Sequence, residues 1–75
     1  MNENPIKITE YKKENHNDKN IIFLMPSKDG STWQYVNYSK GYICPCQFKS
    51  RKEALEDFIK YSDKFYKVDF EELNV

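Results

Sequence analysis

Seventy-five residues make a single small domain (1–75), and a chain of this length buries only roughly 60% of the surface that its unfolded form exposes. Six Tyr, five Phe and one Trp supply the bulk that so small a core needs, because each aromatic side chain buries about 150–250 Å². The 12 basic residues are balanced by 12 acidic ones, which counts against a domain built mainly to grip duplex nucleic acid, and no apolar run approaches the roughly 20 residues needed to cross a bilayer.

The opening M-N-E-N-P has neither the charged nor the apolar region of a signal peptide, so the expectation is a soluble, cytoplasmic protein with residues 1–5 frayed. From Pro5 to Lys13, Ile6 and Ile8 alternate with Lys7 and Thr9, which predicts a short strand. Residues 14–20, E-N-H-N-D-K-N, are wholly polar and read as a loop. I-I-F-L-M at 21–25 is continuously apolar, the pattern of a strand covered on both faces or nearly so. Pro26 ends it, and S-K-D-G-S provides a turn in which Gly30 is free to take positive φ.

T-W-Q-Y-V-N-Y at 32–38 predicts the next strand, with Trp33 and Tyr35 on one face and Gln34, Val36 and Tyr38 on the other. Ser39–Gly41 makes a hairpin turn, and Y-I-C-P-C-Q-F at 42–48 follows as a strand. Pro45 cannot donate to a ladder, so this strand belongs at an edge or is bulged there. Ser50 and Glu53 then form an S-x-x-E capping box that starts a helix. Along it Ala54, Leu55, Phe58, Ile59, Ser62, Phe65 and Tyr66 recur at three- and four-residue spacing, which carries the predicted helix to about residue 66. The tail K-V-D-F-E-E-L fits either a last short strand or a further helical turn, anchored by Val68, Phe70 and Leu73. The predicted fold is α+β: a small antiparallel sheet of three to four strands packed on one face by a C-terminal amphipathic helix.

No catalytic constellation is legible. His16 is the only histidine, two glycines cannot build a phosphate-cradling loop, and no G-x-S-x-G elbow occurs, so an enzyme is not expected. Cys44 and Cys46 lack the two further ligands of a structural zinc site. On a regular strand they lie roughly 6.5–7 Å apart, too far for a disulfide, which suits two free thiols in a reducing compartment. Neither a metal nor any other cofactor is expected. Lys40, Lys49, Arg51 and Lys52 gather around the second turn and the helix start, where an anion would meet both cations and free N–H groups. One helix covers only one face of a sheet, so Trp33, Tyr35, Val36, Tyr38 and Tyr42 stand as a partner-binding surface, Tyr and Trp being enriched at interfaces.

The run D-G-S-T-W-Q-Y, the turn at Gly41 and F-K-S-R-K-E-A at a helix start resemble the AP2-like amino-terminal DNA-binding domains of phage and transposon integrases. The likeness covers residues 29–61 and implies a three-stranded sheet in the major groove, with Trp33, Tyr35, Lys40 and Lys49 facing DNA; that family's third strand is usually basic, whereas here it is Y-I-C-P-C-Q. The same outline is similar to short uncharacterised bacterial β-β-β-α domains, through Pro26, Asp29, Gly30, Trp33, Ser50, Glu53 and Ala54. The functional expectation is a small non-catalytic intracellular binding protein, of the kind phages and mobile elements use as accessory proteins. It would bind a protein partner or a second copy of itself through an aromatic sheet face, with DNA binding through the Lys/Arg corner as the alternative.

Overall fold

Pairing between strands decides which of these segments share a sheet. The computed structural model describes residues 3–74. Its strands are β1 (Ile6–Lys12), β2 (Lys19–Pro26), β3 (Trp33–Asn37), β4 (Tyr42–Phe48) and β5 (Phe65–Glu72), with one helix, α1 (Arg51–Ile59), and a short 3₁₀ turn at Ser62–Lys64. All neighbours are antiparallel and the order across the sheet is β4-β3-β2-β1-β5. The α+β class and a helix packed on the sheet are as the sequence predicts. The tail resolves into a fifth strand, which lies beside β1 rather than beside the strand that precedes the helix.

The helix is shorter than its apolar spacing predicts. Ser50 caps it by accepting from the Glu53 N–H at 3.0 Å, and it ends at Ile59, whose carbonyl accepts from the Ser62 hydroxyl at 2.8 Å. Phe65 and Tyr66, expected on the helix, open β5 instead. The physical reason lies in β1, whose second backbone edge would otherwise stay unpaired while Ile6 and Ile8 sit in the core. F-Y-K-V-D-F is aromatic and β-branched enough to take that edge.

Register assigns the faces. Ile6, Ile8 and Glu10 of β1 oppose Leu24, Ile22 and Asn20 of β2, and Leu24 and Ile22 oppose Tyr35 and Asn37 of β3. These positions all lie on the face of the sheet that carries α1. Ile6, Ile8, Leu24 and Ala54 are buried, and Ile22, Trp33, Tyr35, Phe48, Leu55, Phe58 and Val68 pack around them. Ala54 is fully buried, so its small side chain lets α1 approach the sheet closely. A chain of aromatic rings crosses the same face from one edge to the other: Phe48 to Tyr35 at 5.8 Å, Tyr35 to Phe58 at 6.0 Å and Phe58 to Phe70 at 5.9 Å between centroids.

Residues 3–5, expected to fray, are tied down. The Leu73 N–H donates to the Pro5 carbonyl at 2.8 Å, and the Arg51 guanidinium donates to the Asn4 carbonyl at 2.9 Å. Met1 and Asn2, the rest of that stretch, lie outside the described residues.

Glu10 is a buried carboxylate on the helix side, accepting from the Asn20 side chain at 2.8 Å. Burial raises its pKa above the usual carboxylate range, and the Asn20 hydrogen bond and the Lys40 charge offset this only in part. A raised folded pKa gives stability that is complete below the unfolded value and is lost as pH rises through the folded value. Glu10→Gln keeps an acceptor for Asn20 without the charge. Urea unfolding from acid to neutral pH should therefore show the wild type losing stability relative to this variant. A difference that stays constant with pH would contradict the assignment.

Candidate interaction surface

Among the described residues, no helix lies on the opposite face of the sheet. Besides Met25, Gln34 and Gln47 at one end, three rows of side chains run across it, read directly from the pairing. Glu71, Lys7, Phe23, Val36 and Ile43 form one, and Asp69, Thr9 and Ile21 a second. Lys67, Tyr11 and Lys19 form the third, with both ammonium groups over the Tyr11 ring at 5.6 and 5.8 Å. Tyr38, just past β3, meets Phe23 edge to face at 5.8 Å. The face is thus divided. Over β1 and β5 it carries Lys7, Lys67, Asp69 and Glu71 around Thr9 and Tyr11, with Lys19 at the start of β2, whereas the rest of β2 with β3 and β4 carries Ile21, Phe23, Met25, Val36, Tyr38 and Ile43.

The apolar half is exposed where it matters most for contact. Tyr38 is 69% exposed and Ile43 59%, with Met25 also exposed, while Ile21, Phe23 and Val36 are half-buried by one another. Continuous apolarity at 21–25 is accounted for by this geometry: Ile22 and Leu24 serve the core, and Ile21, Phe23 and Met25 serve the uncovered face.

The five residues singled out in the sequence as partner contacts do not share one surface. Val36 and Tyr38 lie on the uncovered face, but Trp33 and Tyr35 are on the helix side, where they pack against the core. The Tyr35 hydroxyl donates to the Ala54 carbonyl at 2.6 Å. Burial, with Asp57 and then Cys44 beside it, pushes that phenol above the usual tyrosine range. Tyr42 opposes Asn37 and is also on the helix side, at the mouth of a cleft. The sequence reading separated the two parities of β3 correctly and then pooled them. Phe23 and Ile43 were missed, although their parity relative to Val36 could have found them once the turns were counted.

The four cations likewise separate. Lys40 sits in the turn before β4 and Lys49 follows its last residue, so seven residues of strand, roughly 20 Å, lie between them. Arg51 is engaged: its Nη1 lies 3.1 Å from the Glu72 carboxylate, and its Nε lies 3.4 Å from that of Glu3. Its role is to join the N-terminal segment, α1 and β5. Lys49 and Lys52 are exposed.

At Cys44–Cys46 the ladder shifts register, so three residues of β4 stand opposite Tyr35 alone; the strand is both bulged and at an edge, as Pro45 requires. Both cysteines are free, with Cys44 half-buried and Cys46 exposed. The Cys44 thiol beside it, and the Asp57 carboxylate after it, hold the Cys46 proton on, which is the reverse of activation. No group of three or more His, Cys, Asp or Glu side chains placed to hold a metal occurs among the described residues. His16 stacks on Tyr66 at 3.5 Å, away from both thiols.

Hollows mark the helix side and the β2–β3 turn. The cleft between α1 and β3–β4, about 190 Å³, is lined by Ile22, Tyr35, Asn37, Tyr42, Cys44, Asp57, Phe58 and Tyr61. Small-molecule sites usually enclose about 300–1,000 Å³. Beside the β2–β3 turn, Asp29 accepts from the Ser31 N–H at 3.0 Å and from the Ser27 and Ser31 hydroxyls at 2.8 Å, which hold its carboxyl down to about 2. The D-G-S run is thus occupied in shaping a turn, with Gly30 at φ 77°.

Comparison with family models, with curated proteins and with solved structures finds no match to this chain. No helix among the described residues is long and apolar enough to cross a membrane.

Proposed function

We propose that this protein is a non-catalytic binding module that meets a protein partner through the uncovered face of its sheet, over β2, β3 and β4. The observation that carries this reading is the cluster of Ile21, Phe23, Met25, Val36, Tyr38 and Ile43 on a face that no element among the described residues covers. A contiguous apolar patch rimmed by polar residues marks an interaction site more often than a solvated surface. Gln34 and Gln47 on β3 and β4, with Thr9 on β1, form the polar rim such a contact needs.

DNA binding, the alternative, retains little of its support. Trp33 and Tyr35 lie under the helix, Arg51 is held by two carboxylates, and Lys40 lies at the other end of β4 from Lys49 and Lys52. It would have to rest on Lys7, Lys19 and Lys67, which share the charged half of the face with Asp69 and Glu71.

Affinity capture from a nuclease-treated lysate tests the reading. The wild type should retain a discrete protein, and the double variant Tyr38→Ala, Ile43→Asp should lose it, by about tenfold or more if these are central contacts. Both residues are exposed, so the variant should unfold within about 0.5 kcal/mol of the wild type. Equal capture by the folded variant would contradict the proposal, as would binding that nuclease abolishes.

A further inference from the structure

The two edges of the sheet differ. β4 is blunted by Pro45 and by the register shift beside it, two ways in which a strand edge is kept from pairing. β5 has no Pro or Gly; its one irregularity is an extra residue near its start, Tyr66, opposite the Tyr11–Lys12 step of β1, and from Lys67 to Glu72 it pairs regularly with β1 and has no neighbour beyond it among the described residues. Its free backbone groups can be assigned. The Leu73 N–H bonds to Pro5, and antiparallel partners alternate between bonded and non-bonded pairs, so Val68, Phe70 and Glu72 turn their N–H and C=O groups outward.

We propose that β5 pairs with β5 of a second copy, antiparallel about a two-fold axis at Val68. Only an axis through a residue keeps facing side chains on the same side of the sheet, and charge selects among the three central choices. An axis at Asp69 sets Asp69 against its own copy. An axis at Phe70 sets Asp69 against Glu71 twice. The Val68 axis sets Lys67 against Asp69 twice and Val68 against Val68, with no like charges opposed. It also brings outward-turned Val68 residues face to face, as a bonded pair requires.

The apolar side of this edge fits the same occupant. Phe70, Tyr66 and Ile59 are each about half exposed, at 48%, 56% and 58%, on or beside β5 where α1 leaves the sheet uncovered. In the dimer these flank the new seam, and burying them adds to the backbone pairing. The axis stands perpendicular to the sheet, so the uncovered faces of both copies lie on one side of a continuous sheet. The inference does not depend on the partner-binding reading, since Lys67 and Asp69 lie on the charged half of the face.

Sedimentation equilibrium across a concentration series tests it. Wild type should be a dimer that weakens with salt. Lys67→Asp should raise the dissociation constant about tenfold or more, because two opposed pairs become like-charged. The double variant Lys67→Asp, Asp69→Lys exchanges the charges and should restore the dimer. In the wild type the amides of Val68, Phe70 and Glu72 should gain hydrogen-exchange protection as concentration rises. A wild type that stays monomeric at its highest soluble concentration overturns the proposal. So does a dimer indifferent to Lys67→Asp, or one that the charge exchange does not restore, or those three amides showing no concentration dependence. Loss of the dimer with lysate capture intact would separate this failure from that of the partner-binding face.

Discussion

Leu24→Ala is expected to destabilise the domain by about 4 kcal/mol, with the neighbouring Met25→Ala costing less than about 1 kcal/mol. Leu24 is fully buried at the centre of the sheet between Ile6 and Tyr35, and the elements around it have no freedom to close the space left behind. Met25 is one residue along, on the opposite face and exposed. A domain of 75 residues has a total stability of roughly 4–11 kcal/mol, so the first change removes much of it and the second very little. Chemical denaturation of the two variants checks this. Comparable losses at both positions would mean that the uncovered face is a second core surface rather than a free one.

Tyr35→Ala is expected to cost about 3 kcal/mol, near the lower end for loss of a large aromatic because the ring is only half-buried. Its ring links Phe48 and Phe58 across the helix side, so the loss interrupts a chain of aromatic contacts rather than one pair. Tyr35→Phe isolates the hydroxyl. It removes the donor to the Ala54 carbonyl and should cost about 1–2 kcal/mol. Tyr38→Ala, three residues on, should leave the thermal midpoint within a few degrees of the wild type. If Tyr38 proved the costlier of the two truncations, the assignment of faces along β3 would be wrong.

These contrasts explain how far the fold was legible in the residues. Alternation at Ile6 and Ile8, turns around Gly30 and Gly41, Pro45 at a bulged edge and Ser50 as a cap all act within a few residues, and each appears where its local chemistry demands. Fates decided by distant pairing were not legible. Phe65 and Tyr66 fit the helical spacing that begins at Ala54, yet β1 needed a second neighbour and drew them into β5. Trp33, Tyr35 and Tyr42 look like interface residues by type, and only the position of α1 makes them lining and core. Arg51 looks like a free cation until Glu3 and Glu72, 48 residues before and 21 after it, are brought beside it by the fold. The apolar half of the uncovered face contains more aliphatic than aromatic residues, so residue type alone points to Trp33 and Tyr35, on the other side of β3.

The central claim, that the face over β2, β3 and β4 is a protein contact surface, is tested most directly by site-specific photo-crosslinking in the native cell. A benzophenone amino acid replaces Tyr38 in one variant and Lys60, on the exposed outer side of the helix end, in another. A discrete adduct with a protein other than the chain itself, formed from position 38 and absent from position 60, is the result expected. Adducts of equal yield from both positions, or from position 60 alone, or a nucleic-acid adduct at position 38, would contradict it.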